Sequence, residues 1–291
     1  MAVRLNWKVS RRVVLFGAVG TVIVLVLAAA IVMNDLWREK SMPIQGSAAP
    51  TITTDDLTVV DRTRVFFGHQ SVGENVLNGV AGVYAKHGIS APPIEQGRSE
   101  PGPDGGFIAH EFIGENGHPL LKIDAFDKAM RGGMAEKVDV ALMKLCYIDI
   151  TTSTDVDALF ARYRDTMAAL ERDYPNLTFI HMTVPLTTEP GFVSKLKTRL
   201  GGSDRFGQAE NLVRERYNTL IRNEYGGGHL FDLAAIESTE PNGTRDSRRY
   251  EGRQYFALYE GYASDLGHLN SAGSEIAATA FLQAIAQASR K

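Results

Sequence analysis

The stretch that most constrains this chain runs from Arg64 to Val80, Arg-Val-Phe-Phe-Gly-His-Gln-Ser-Val-Gly-Glu-Asn-Val-Leu-Asn-Gly-Val. Arg64 to Phe67 is β-branched and aromatic, which predicts a buried strand, and Gly68 breaks it. From Val72 the apolar residues Val72, Val76, Leu77 and Val80 recur at helical spacing. A strand, a tight turn and a helix therefore follow one another, with Ser71 where the helix begins. Serine there has two readings. It is a favoured N-cap, its hydroxyl accepting a backbone N–H. It is also well placed as a nucleophile, because unpaired N–H groups and the positive end of the helix dipole favour a developing oxyanion.

Near the other end, Tyr262-Ala-Ser-Asp-Leu-Gly-His-Leu-Asn-Ser-Ala-Gly leads into a last amphipathic helix ending near Ser289. Asp265 and His268 stand three residues apart on a glycine-containing loop. The carboxylate can fold back to orient the imidazole, whose other nitrogen is then free to face a serine hydroxyl.

Between these blocks, apolar runs alternate with helical patterns. Phe107–Ile113, Val138–Tyr147, Leu177–Val184 and His229–Leu233 read as strands. Helices are predicted from Pro119 to Arg131, from Thr154 or Asp155 to Asp173, and from Gln208 to Tyr225. This alternation predicts an α/β fold, a three-layer α/β/α sandwich on a mostly parallel, flavodoxin-like five-stranded sheet. Ser90–Gly106 reads as a surface loop, Thr187–Gly207 as irregular, and Glu237–Tyr262 as polar loop.

The N-terminus is a separate matter. Val13 to Met33 is an uncharged apolar run long enough to span a bilayer as a helix, and Arg4, Lys8, Arg11 and Arg12 precede it. The expected organisation is a basic cytoplasmic segment (1–12), a single transmembrane signal anchor (13–33), a Ser/Thr/Pro-containing linker (34–61) and one domain (62–291). A cleavable signal peptide competes, but its apolar region would exceed the usual length. Either way the domain is exported, and the expected location is the cell membrane with the domain periplasmic or extracellular. The net charge of −3 and pI near 6.2 give no basis for expecting nucleic acid. Cys146 is the single cysteine, so no internal disulfide can form. No metal-ligand spacing is evident, and neither metal nor cofactor is expected.

The two end blocks together resemble the SGNH (GDSL-like) hydrolases, whose serine follows the first strand and whose Asp-x-x-His precedes the last helix. The resemblance covers roughly residues 62 to 291, with Gly68-His69-Gln70-Ser71 standing where that family has Gly-Asp-Ser. It implies a serine esterase with Ser71 as nucleophile, His268 as general base and Asp265 as its orienting carboxylate. It also implies an oxyanion hole made of the Ser71 N–H, a glycine N–H (Gly117, with Gly114 as runner-up) and an Asn side chain after the central strand. Register puts Ile148 at that last position and Asp149 beside it, and a carboxylate there would repel an oxyanion. Asn116 is the nearest substitute amide, with the Tyr147 phenol as fallback. His69 and Gln70, beside the nucleophile, are candidates for shaping the pocket or donating to substrate. The expected substrate is a small acyl ester, such as an acetylated envelope glycan. Acyl transfer to a sugar hydroxyl by the same residues, and a non-catalytic carbohydrate-binding or assembly domain, are the alternatives.

Overall fold

The computed structural model describes residues 42–46, 49–97, 105–189 and 206–290. The expected basic segment and anchor, 1–33, lie outside the described residues. Among the described residues no helix is long and apolar enough to cross a membrane.

In chain order the elements are β1 (Met42–Gln45), α1 (Thr54–Val60), β2 (Arg64–His69), α2 (Ser71–Lys86), β3 (Ile94–Gln96), β4 (Phe107–Phe112), α3 (Pro119–Ala129) and β5 (Val140–Met143). They continue with α4 (Val156–Asp173), β6 (Thr178–Met182), α5 (Gln208–Tyr225), β7 (Leu230–Phe231), α6 (Leu233–Glu237), β8 (Thr244–Tyr250), β9 (Arg253–Phe256) and α7 (Ser271–Ser289).

The main sheet has six strands in the order β3-β4-β2-β5-β6-β7, and every described pairing in it is parallel. The expectation of five strands is thereby corrected. The addition is β3, three residues at the edge of β4 inside the stretch read as surface loop. It carries little apolar signal because its side chains are largely exposed. Without β3 the order is flavodoxin-like: β2, first of the five in sequence, lies between β4 and β5.

Alternation along each strand divides the core into two layers. Val65 and Phe67, Val140 and Leu142, and Ile180 and Met182 pack with α1, α2 and α7. Phe66, Ala141, Met143 and Phe179 pack with α3, α4 and α5 on the other face. Two-sided burial explains why these strands read as continuous apolar runs.

Two further regions depart from the expectation. The supposed linker holds β1 and also α1, whose Thr53 and Asp56 form a reciprocal capping box. The supposed polar loop holds the hairpin β8–β9, with β1 pairing antiparallel to β8 in a second sheet. Thr244–Tyr250 is polar at six of its seven positions, so no apolar signal marked the strand. The strand expected over His229–Leu233 is only two residues long, because Asp232 caps α6 immediately after it.

Helices α2 and α7 lie side by side at very short range. A Cβ on Gly79 would fall 2.3 Å from the Ser274 carbonyl oxygen, so this glycine sets the helix separation. Replacing Gly79 with Ala is expected to force the two helices apart and destabilise the domain by about 1–3 kcal/mol in urea unfolding. The same change at Gly82, which a Cβ would not crowd, is expected to be neutral or stabilising.

Candidate active site

In a parallel sheet, ligands bind beyond the carboxyl ends of the strands, where the order switches direction. Here that point lies between β2 and β5, and the chain leaving β2 is Gln70-Ser71. The N-cap of α2 is Gln70, and its side chain makes no capping bond. Gln70 Nε2 instead donates to the carbonyls of Ile113 and Gly114, at 3.0 and 3.3 Å. Ser71 is the first residue inside the helix, so its hydroxyl does not serve as the cap. It lies 3.0 Å from His268 Nε2.

His268 Nδ1 is 2.7 Å from Asp265 Oδ2 and 3.0 Å from Oδ1. Asp265 Oδ1 also accepts the N–H groups of Gly267 and His268, each at 2.9 Å. Partial burial raises the Asp265 pKa, but the two amides and the imidazole outweigh it, and the carboxyl is held below its ordinary value. An ionised Asp265 fixes the proton of His268 on Nδ1, which leaves Nε2 able to accept the serine proton. The loop itself is tied to α2, since the Leu269 N–H donates to Asn75 Oδ1 at 3.2 Å.

Tyr147 forms a wall beside the histidine. Its ring stands edge-on to His268 at 5.9 Å, and Gly267 lacks the Cβ that would strike that ring. Burial, then the Asp265 charge, raise the phenol's pKa, so it stays protonated. Arg214, fully buried on α5, donates to the Tyr147 carbonyl at 2.9 Å and to Thr187 Oγ1 and Asn211 Oδ1. It joins α5 to the turn that carries Tyr147.

The glycine loop is arranged differently from the expectation. The Gly117 N–H donates to Asp149 Oδ1 at 2.8 Å, so it is committed inside the protein. Asp149 is turned inward, where its Oδ2 accepts from Cys146 N–H and from Lys122 Nζ, both at 2.6 Å. Both partners of that ion pair have fully buried side chains. The expected repulsion between Asp149 and an oxyanion is removed, because the charge is neutralised beneath the loop. Lys122 Nζ also donates to Asn116 Oδ1 at 2.8 Å. The Asn116 amide oxygen is thereby fixed, and its NH2 group is left as the side chain's outward donor. Gly114 has φ +58, and a Cβ there would meet the Lys122 backbone at 2.7 Å.

His69 is fully buried under the start of α2 and does not face the site opening. Its Nδ1 contacts the Gln70 carbonyl at 2.8 Å and its Nε2 contacts His110 Nδ1 at 3.0 Å. Burial first, then the charges of Lys144 and His110, push its pKa down to about 3. Sequence reasoning missed Lys122, Arg214 and Asn75. Two of them carried a signal: Lys122 shares a helical face with Phe126, and Arg214 shares one with Tyr217 and Ile221. A charged residue on an apolar face implies a buried partner.

No family model and no curated protein matches the chain. Among solved structures it is similar to a Streptococcus pneumonia protein provisionally described as a platelet activating factor. That match has 13% identity and a TM-score of 0.47, covering 89% of this chain and 99% of the other. A Desulfitobacterium hafniense DCB-2 protein, provisionally described as a lipolytic protein of the G-D-S-L family, matches at 10% identity and TM-score 0.40, covering 76% and 99%. The periplasmic domain of a lipopolysaccharide acetyltransferase from Salmonella ser. Paratyphi A matches at 12% identity and TM-score 0.41, covering 78% and 87%. The likeness is one of fold. What the site can do rests on its own geometry.

Two outcomes follow from the buried charges. Lys122→Met leaves the Asp149 carboxylate unpaired, and is expected to cost about 3–5 kcal/mol in urea unfolding; Lys122→Met with Asp149→Leu is expected to recover much of it. His69 takes up a proton near pH 6.5 when unfolded but only near 3 when folded. Unfolding therefore binds a proton between those values, and stability falls as pH is lowered through that window. His69→Asn is expected to lose about 3 kcal/mol less than the parent between pH 6.5 and 4, read from urea curves at each pH.

Proposed function

We propose that this protein is a serine hydrolase that cleaves a small acyl ester through an acyl-enzyme intermediate. The observation that carries the reading is the unbroken series Ser71 Oγ, His268 Nε2, His268 Nδ1 and Asp265, with contacts of 3.0 and 2.7 Å, at the first residue of a helix. His268 accepts the Ser71 proton as Oγ attacks the ester carbonyl carbon. Asp265 holds the tautomer and stabilises the imidazolium. The tetrahedral oxyanion is met by the Ser71 N–H, which makes no backbone hydrogen bond among the described residues, and by the helix dipole. The imidazolium then protonates the leaving alcohol, and a water activated by His268 releases the acyl group.

Asn116 is our candidate for the side-chain donor that Ile148 cannot supply. The support is its anchored oxygen: a primary amide whose Oδ1 is held by a buried ammonium presents its NH2 in a fixed direction, at no entropic cost during the reaction. Gly117 is set aside, since its N–H is bonded to Asp149.

Hydrolysis is favoured over acyl transfer by the openness of the site, the Asp265 side chain being 59% exposed. Water reaches such a histidine readily. The large exposed apolar side chains Phe112, Leu120, Leu121 and Leu266 all stand on segments at the sheet's carboxyl end, and suit an acyl or otherwise apolar substrate group. With the apolar run of 13–33 read as an uncleaved anchor, the substrate would be an ester of the cell envelope.

A fluorophosphonate probe is expected to label the parent protein on Ser71, and Ser71→Ala and His268→Ala are expected to lose labelling. Labelling that persists in Ser71→Ala would end this reading. Asn116→Ala is expected to lower kcat for p-nitrophenyl acetate by about 10²-fold or more with KM nearly unchanged. An unaltered kcat would clear Asn116 of the role.

A further inference from the structure

The residue pair His69 and His110 has no place in the chemistry above, yet it sits directly beneath the nucleophile. A carbonyl oxygen can only accept, so the 2.8 Å contact between His69 Nδ1 and the Gln70 oxygen puts a proton on Nδ1. His69 is fully buried and neutral over the ordinary pH range, which leaves its Nε2 as a lone pair. The proton in the 3.0 Å contact with His110 therefore belongs to His110 Nδ1. The result is a directed chain in which His110 donates to His69 and His69 donates to the Gln70 carbonyl.

That carbonyl is shared. It also accepts the Gly73 N–H at 2.8 Å and the Glu74 N–H at 3.3 Å. The Gln70 carbonyl and the Ser71 N–H are the two ends of one peptide group. Donors on the oxygen draw electron density through the amide and make the N–H a stronger donor. The packing leaves His69 little freedom to do anything else. Its ring lies 5.0 Å from that of His110 and 4.8 Å from that of Phe67, and a Cβ on Gly73 would fall 2.4 Å from its own Cβ.

We propose that His69, held by His110, is a positioning residue that strengthens the Ser71 N–H as oxyanion donor by hydrogen-bonding the carbonyl of the same peptide. His69 does not touch substrate. The inference rests on Ser71 being the nucleophile, and in place of shaping the pocket or donating to substrate, the two roles expected of His69, it gives that residue an action through the backbone.

The test compares His69→Asn, His69→Leu and His110→Phe in the full chain, first with fluorophosphonate and then with p-nitrophenyl acetate. The Asn amide nitrogen reaches the place of Nδ1 and can still donate to Gln70, whereas Leu cannot. The expected result is a kcat about tenfold lower in His69→Leu, with KM unchanged, and most of that loss recovered in His69→Asn. His110→Phe, at a half-buried position, is expected to lower kcat several-fold, and it carries the test if His69→Leu does not fold. A folded His69→Asn no better than a folded His69→Leu would overturn the proposal, as would unchanged kcat in His69→Leu or, failing it, in His110→Phe. A parent protein that the probe does not label would instead overturn the reading of Ser71, and this inference with it.

Discussion

The ion pair between Lys122 and Asp149 holds together the parts of this site that the sheet does not reach. Both side chains are fully buried, and an isolated charge at either position would be intolerable. Asp149 is satisfied by Lys122 and by two backbone N–H groups, one from the loop before α3 and one from the turn after β5. Lys122 in turn fixes the Asn116 oxygen. Two loops on adjacent elements are thus joined through one carboxylate, and their relative position is set by electrostatics in a dry environment. Such a pair adds little net stability over an apolar substitute. Its effect is to define geometry, since neither loop can move without separating the charges.

The arrangement around Ser71 follows from the parallel sheet. Strand β2 has a neighbour on each side, so the chain leaving it emerges at the switch point and turns into α2. Ser71 then lies at the positive end of a sixteen-residue helix. The Asp265–His268 loop reaches the same place because α7 packs closely against α2, with Gly79 and Ser274 at the contact. Packing of the middle of α2 against the first turn of α7 and the Asn75 contact serve one purpose, which is to fix the histidine relative to the serine.

The main α/β architecture was legible because strands buried on both faces must be apolar throughout, and the helices between them show one apolar face. The edge strand β3 was not, because an exposed strand is free to be polar, and β8 was not, because six of its seven residues are polar. Helix α1 was hidden for another reason: seven residues give too few turns for a periodic pattern to stand out, although the Thr53 and Asp56 cap was there to be seen. Of the site, Ser71, Asp265 and His268 could be named from local chemistry, each in a recognisable turn or loop.

By itself, then, the sequence determined the buried strands and the longer helices of the main α/β architecture, and which serine, histidine and aspartate are candidates to act together. Those follow from periodicity and spacing within a few residues. Tertiary structure decided that the Gly117 N–H faces inward, that Asp149 is neutralised by Lys122, and that His69 lies beneath Ser71 with its Nδ1 against the Gln70 carbonyl. Each of these depends on which distant group occupies the other side of a hydrogen bond. Lys122 and Asp149 are twenty-seven residues apart and His69 and His110 forty-one, and only packing brings them within three ångströms or so. A hydrogen bond is decided at that distance, and no local pattern records it.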